Sequence, residues 1–444
     1  MPPLHLAAPL LALGIVARVA DARVPAFVRQ TGLVCNQCHV SWTNAADLTF
    51  TGMKFRLNGY RSPRVSETIA AGTEGAMNRA HLALTLARML SVRARSTVAQ
   101  ESKNASDPAL SEPRAGPVST NVFGPIDLDV AGPIGEHVGV WSDFCAYGGR
   151  DVDIVPYTET TCARPGGYVG LSQIAAQVTS NVDGNILGFG ARLLNAGRAR
   201  SFLGMTPATA PNHQLYTPGI GGAGSPYTSY GVYAFLADCV GLRVGLEPGD
   251  DNLDFKRFNH GAEAAFFPLH GDAGWLLLGW MYRAGNDMTA GMADVPGVGA
   301  LTKGGAGYRS GDGTALRILY SVGYGFTERG PHAFVGTLNL SLENEDYTDG
   351  ASERMRAVGT NLRYSFQRTY DIDLYLYKYR KWDYTDASGV THKIPQDPGY
   401  VLRLGYSPDA KVALYIEAAN LQTARLDQNW RAGNYWKANV QFLW

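Results

Sequence analysis

Apolar side chains recur at every second position along most of this chain, in short runs, and that spacing fits a strand greased on one face rather than a helix. Leu82, Leu84, Leu86, Leu90 and Val92 alternate with polar residues that include His81, Thr85 and Arg93. Further on, Ile372, Leu374 and Leu376 alternate with Asp371, Asp373, Tyr375 and Tyr377, and Val412, Leu414 and Ile416 alternate with Tyr415 and Glu417. Every second residue back from Trp444 is apolar or aromatic. Between residues 77 and 444 about sixteen such runs can be counted, an even number that suits a ring of antiparallel strands. The 52 glycines and 23 tyrosines suit short strands joined by turns, with aromatic residues gathered at two interfaces.

The connections between runs carry more information than their number. Tight turns are expected at 132–135, 181–184, 238–239, 270–272, 328–330, 368–370 and 408–409. Longer polar loops alternate with them at 95–121, 148–167, 195–227, 248–257, 285–313, 344–354, 384–398 and 423–432. An aqueous β-sandwich has no reason to sort its connections by length, whereas an outer-membrane barrel keeps short turns on the periplasmic side and long loops outside. The expected fold is therefore all-β, a transmembrane outer-membrane β-barrel of about sixteen antiparallel strands in contact with lipid. Past the N-terminal region no run approaches the ~18 apolar residues that a membrane helix requires.

The N-terminal region has a different character. Residues 10–16 form the only long apolar run, and Ala20-Asp21-Ala22 follows as a small-x-small cleavage pattern. Residues 1–22 are thus expected to be a signal peptide that exports the rest. Residues 23–76 contain Cys35-Asn36-Gln37-Cys38-His39. Two thiols at this spacing can add across the vinyl groups of one haem, and the adjacent histidine can then ligate its iron. A zinc site would need a second pair of ligands, and Cys145, Cys162 and Cys239 stand isolated far along the chain. The expected cofactor is one haem c, bound through Cys35, Cys38 and His39, in a small c-type haem domain placed in or against the barrel lumen. A piece this short is marginal as an independent fold and has to lean on the rest of the chain. Thr49 or Thr51 can cap a short helix that ends at Gly59, with Phe50, Met53 and Leu57 on one face, available to pack on the porphyrin. At the long-loop end, Cys145 and Cys162 are candidates for a disulfide, while Cys239 falls in a tight turn as a small residue.

Pro25, Phe27, Arg29-Gln30-Thr31-Gly32, the Cys35–Cys38–His39 motif, Leu48-Thr49, Gly52, Phe55 and Leu57-Asn58-Gly59-Tyr60 form a block that resembles the fused monohaem cytochrome-porins of the bacterial outer membrane. The barrel region is similar to that family only in pattern and length. The resemblance implies electron transfer from an extracellular donor, Fe(II) or another reductant, through the haem to a periplasmic c-type cytochrome or similar carrier. Two alternatives stand beside it, a passive porin with a structural haem and an outward-directed extracellular reductase. For the second axial ligand, Met53 would raise the potential, which suits an iron donor, but a thioether also packs well on a ring edge. His81 is the next candidate.

Other features carry less. Acidic and basic residues balance at 39 each, without the basic stripe that nucleic-acid binding requires. Gly219, Gly221 and Gly224 match the spacing of a dinucleotide-binding loop, yet lie in a Pro- and Gly-rich stretch without strand-turn-helix context. Asp250, Asn252 and Asp254 begin like a calcium loop, but Phe255 and Gly261 stand where that loop needs Gly and Glu.

Overall fold

The computed structural model describes residues 26–31, 38, 49–61, 89–102, 115–121, 126–147, 170–193, 229–248, 258–270, 274–285, 314–326, 332–346, 352–367, 369–386, 388–393, 399–409, 412–420 and 434–443. Two short helices, α1 (Ala26–Thr31) and α2 (Phe50–Leu57), precede the strands. The strands are β1 (Leu90–Ser102), β2 (Ala115–Asn121), β3 (Ile126–Ile134), β4 (Val138–Tyr147), β5 (Gly170–Val182), β6 (Asn185–Leu193), β7 (Ser229–Leu236), β8 (Val240–Pro248) and β9 (Phe258–Leu269), followed by β10 (Gly274–Gly285), β11 (Thr314–Phe326), β12 (His332–Asp346), β13 (Ser352–Phe366), β14 (Tyr370–Thr385), β15 (Thr391–Lys393), β16 (Gly399–Asp409), β17 (Val412–Asn420) and β18 (Asn434–Leu443).

All pairings are antiparallel, and most join neighbours in the chain, the arrangement that short connections enforce. From β3 to β14 each strand pairs with the next, after which β14 pairs with β16, β16 with β17 and β17 with β18. β18 pairs with β1 from Arg93↔Leu443 to Glu101↔Tyr435, while β2 and then β3 line the other edge of β1. The ladder of pairings thus runs round to the strand where it began. β15 is a short arm on β14, and β2 and β3 share one position along β1, so the 18 strands of the sheet make up about sixteen wall positions.

The connections sort as expected at the β3–β4, β5–β6, β7–β8 and β13–β14 turns, which span only a few residues each. The expected loops 95–121 and 344–354 are shorter than the sequence suggests. β1 continues to Ser102, β2 starts at Ala115, β12 reaches Asp346 and β13 begins at Ser352. Backbone pairing continues past the last apolar alternation, because the ladder needs only amide and carbonyl groups while the side chains there are polar.

Polarity along the wall is inverted relative to a water-soluble protein. On β17 Ile416 is 56% exposed and its neighbour Glu417 is fully buried; on β14 Ile372 is 49% exposed while Asp373 is buried. Leu338, Leu340, Leu362, Leu402 and Leu404 face outward in the same way. An apolar exterior over a polar interior is stable only where the outer surface meets hydrocarbon rather than water. One inner row alternates in charge across neighbouring strands. Arg363 stands opposite Asp373, Asp373 opposite Arg403 and Arg403 opposite Glu417. Arg363 bonds to Asp373, and both Nε and Nη2 of Arg403 donate to Glu417 Oε2, at 2.8 and 2.6 Å. Each charge is compensated across the ladder, which is what tolerates its burial.

Candidate haem-attachment site on an inner plug

α2 begins where the sequence suggests. Thr49 is the N-cap, its side chain accepting the Gly52 N–H at 3.1 Å, and Gly59 ends the helix region with φ of +68°. The Thr49 N–H also donates to the Cys38 carbonyl at 3.0 Å. Gly52 sits so close to the Cys38 backbone that an added Cβ would lie 2.9 Å from Cys38 Cα. Glycine in a helix costs about 1 kcal/mol against alanine, and here its missing side chain is what brings the motif against the helix. Cys38 is half-buried. Cys35 and His39 lie outside the described residues, as do His81, Cys162 and the expected signal peptide. Cys145 lies on β4, near the end that leads into a long connection. Cys239 forms part of the β7–β8 turn, with its Sγ 3.5 Å from the Phe267 carbonyl oxygen.

Beside α2, α1 brings Phe27 into a small aromatic core, stacked on Tyr60 at 5.2 Å and edge-on to Phe55 at 5.1 Å. The two helices lie against the inner face of the wall and are tied to it through backbone carbonyls and polar side chains. Tyr233 on β7 donates to the Leu57 carbonyl at 2.6 Å, and Gln177 on β5 donates to the Arg56 carbonyl. Gln30 reaches the Ala131 carbonyl at 2.8 Å, and Arg61 donates to Thr179 at 2.9 Å. Burial lowers the Arg61 guanidinium from its ordinary value. At the β7–β8 turn, Lys54 pairs with Asp238 at 2.6 Å. Gly59 meets Gly139 of β4 backbone to backbone, and a Cβ at Gly139 would come within 2.6 Å of Gly59 Cα.

The face of α2 formed by Phe50, Met53 and Leu57 packs on the wall, in one buried cluster with Ile186, Tyr233, Phe235, Ala265, Phe267 and Leu277. The sequence suggested that this face was available to a porphyrin. Burial against six wall side chains is what claims it, and the Met53 thioether, 4% exposed, is among the groups packed there. At the N-terminal end of α2 the Phe50 ring stacks on His270, with centroids 5.1 Å apart, and His270 Nδ1 lies 3.2 Å from the Phe267 carbonyl oxygen. Sequence reasoning passed over His270, Tyr233, Gln177 and Asp238. A weak signal existed for Tyr233, since Gly188 stands directly opposite it in register and a Cβ there would collide with its ring.

Among the described residues, inward side chains are buried on strands spread round the ring. Thr179 on β5, Tyr233 on β7, Glu263 on β9, Val335 on β12, Arg363 on β13, Arg403 on β16 and Glu417 on β17 are all below one-tenth exposed. A sixteen-stranded wall leaves a lumen wide enough for water, so an open bore would leave such side chains wet. The described inward side chains are shielded from water, by α1 and α2 on one side and by their own cross-strand pairs on the other.

The donor set fits a covalent haem. Cys35, Cys38 and His39 supply two thiols and an imidazole at the required spacing, and Cys38, the motif residue that is described, is anchored through its carbonyl to a helix N-terminus. Among the described residues no cluster of His, Cys, Asp and Glu is arranged to hold a metal ion.

No protein-family model matches the chain, and no curated protein matches it. Solved structures do. The high-pH structure of Pseudomonas putida OprB is 13% identical, with 82% of this chain and 96% of that chain covered and a TM-score of 0.50. A loop L8 deletion mutant of OmpT, an outer membrane protein of Vibrio cholerae, is 12% identical over 80% of this chain and 98% of that one, at a TM-score of 0.46. The outer membrane channel DcaP of Acinetobacter baumannii is 12% identical over 80% of this chain and 96% of that one, also at 0.46. The OprB likeness, taken with the strand ring and its inverted polarity, defines the class by fold: an antiparallel outer-membrane-type β-barrel.

Proposed function

We propose that the chain is an outer-membrane cytochrome-porin. It passes electrons from an extracellular donor, Fe(II) in the first instance, by way of one haem c to a periplasmic c-type cytochrome or similar carrier. The observation that carries this reading is the plug: the second cysteine of a CxxCH sequence is held on a helix docked against the inner wall. A passive porin with a structural haem remains the second reading, and the two helices on the inner wall are what favour electron transfer over it. When bound, the haem supplies a one-electron couple. Cys35 and Cys38 hold it, and His39 ligates its iron. Thr49 and Gly52 fix the Cys38 segment to α2, while Tyr233, Gln177, Arg61 and Asp238 fix the helices to the wall. The outward rows of leucine and isoleucine hold the ring in lipid.

The test is the visible spectrum of purified, haem-loaded protein in liposomes. External Fe(II) is expected to convert it to the reduced form. A spectrum that stays oxidised refutes Fe(II) as donor, and a low midpoint potential in a redox titration would favour outward flow.

A further inference from the structure

We propose that the outer face of the wall, at the long-loop end of β13, β14 and β15, binds the phosphate groups of a lipid A-type glycolipid in the outer leaflet. The surface is a basic band on the lipid side of the wall, and it is independent of the plug within.

Depth is the first ground. The outward row of β13 runs through Tyr364 and Leu362, both exposed, and continues past Thr360 and Val358 to Arg356 and Arg354, which are exposed as well. At the short-turn end exposed rings gather on neighbouring strands. Tyr370 stacks on Tyr406 with centroids 5.2 Å apart, and Tyr364 lies against His332 at 6.0 Å. Such a girdle marks one edge of the apolar band, which in an outer-membrane barrel is about 25 Å tall. With a rise of ~3.4 Å per residue and a tilt of about 40°, the climb from Tyr364 to Arg356 and Arg354 is about 20–26 Å. Both arginines therefore stand at the opposite edge, level with the outer headgroups.

Charge is the second ground. Arg356 stands opposite Lys381 on β14 and opposite the neutral Leu342 on β12. Like charges directly across an antiparallel pair repel, and an anion between them turns that repulsion into two charge-assisted contacts. The register of β14 shifts at this point, with Arg380 as the extra residue, and Lys378 stands opposite Val358 on the same row. One step further out, a single carboxylate, Asp383, stands opposite both Arg354 and the exposed Lys393 of β15. On the outer row Arg354, Arg356, Lys378, Lys381 and Lys393 thus outweigh Asp346 and Asp383, while Glu343, Glu345 and Glu353 fall on the alternate row.

The arm that presents Lys393 is fixed. Asp386 Oδ1 accepts the Ser388 and Val390 N–H groups at 3.0 and 2.9 Å, and the Thr385 and Thr391 hydroxyls lie 3.0 Å apart. Guanidinium forks match phosphate oxygens bidentately, and the exposed Leu338, Leu340 and Leu362 just inside the band offer a seat for the acyl chains of the same molecule. That adjacency selects a phosphorylated lipid over a free anion.

Native mass spectrometry of the haem-loaded protein in detergent tests the assignment, by titration with diphosphoryl lipid A, dephosphorylated lipid A, phosphatidylglycerol and inorganic phosphate. Diphosphoryl lipid A should bind at least tenfold more tightly than the other three. Arg356→Gln and Lys381→Gln should each weaken it about fivefold and the double variant about 25-fold, with the haem spectrum unchanged. Arg356→Lys should keep most of the affinity. Equal binding of the dephosphorylated form overturns the proposal, as does displacement of the lipid by equimolar inorganic phosphate. Phosphatidylglycerol bound as tightly as lipid A, or a double variant with native affinity, overturns it too. The wild-type comparison of phosphorylated with dephosphorylated lipid decides the matter even if a variant fails to fold.

Discussion

Replacing Gly52 with alanine sets two well-understood effects against each other. On an exposed helix the change stabilises by about 1 kcal/mol, because alanine is the better helix former. Here the new Cβ would fall inside the contact distance of the Cys38 backbone, which cannot swing aside like a flexible side chain. The helix cannot retreat either, since Phe50, Met53 and Leu57 are fixed in the wall cluster. Overpacking of this kind costs about 1–3 kcal/mol, and stretching the Thr49–Cys38 hydrogen bond adds about 0.5–1.5 kcal/mol. After subtracting the helix-propensity gain, the plug should be held more weakly by about 1–3 kcal/mol. Trypsin provides the assay, because Lys54 and Arg56 lie on α2 and are cut when the helix leaves the wall. Cleavage in the regime where closing is fast follows the open population, so the rate at these sites should rise about 5- to 150-fold. Cleavage equal to or slower than wild type would mean that Gly52 does not seat the helix on Cys38, and the described anchoring of the motif would be wrong.

Other consequences follow from the same contacts. Tyr233→Phe leaves the buried Leu57 carbonyl without its donor and should loosen the plug by about 1–3 kcal/mol in the same trypsin assay. Lys54→Ala removes a pair that is about one-third exposed, and should cost no more than ~1 kcal/mol. Glu417→Ala strands the fully buried Arg403 and should destabilise the wall by about 3–5 kcal/mol, seen as a lower temperature for loss of the compact band on semi-native gels. In planar bilayers the intact protein should lack the steady open-channel conductance of a porin, because α1 and α2 lie within the ring; a stable large conductance would contradict a lumen closed by the helices.

The wall was legible because a strand in a barrel faces two different media, and a period of two in the side chains records this directly. Ile372 and Asp373 are the pattern in miniature, one exposed outward and the other buried within. The Thr49 cap and the Gly59 stop could also be read, since both depend on residues close in sequence. What could not be read is which face of α2 meets what. Phe50, Met53 and Leu57 are equally suited to a porphyrin or to a wall, and the choice is made by Phe235, Phe267 and Leu277, more than 170 residues away along the chain. His270 was silent for the same reason, because its ring is oriented by Phe267 and Phe50, which only the fold brings together. Strand ends were overtaken by backbone pairing, which leaves no trace in side-chain polarity, as β1 shows by continuing to Ser102.

The central claim is that electrons cross the wall while solutes do not, and one proteoliposome measurement addresses it most directly. Ferricytochrome c is sealed inside the vesicles, Fe(II) is added outside, and reduction is followed for the native protein beside a Cys35→Ser, Cys38→Ser variant. Rapid reduction with the native protein and none with the variant is the predicted result. Equal reduction in both would mean that Fe(II) leaks through an open bore, and no reduction in either would mean that this chain carries no electrons from Fe(II).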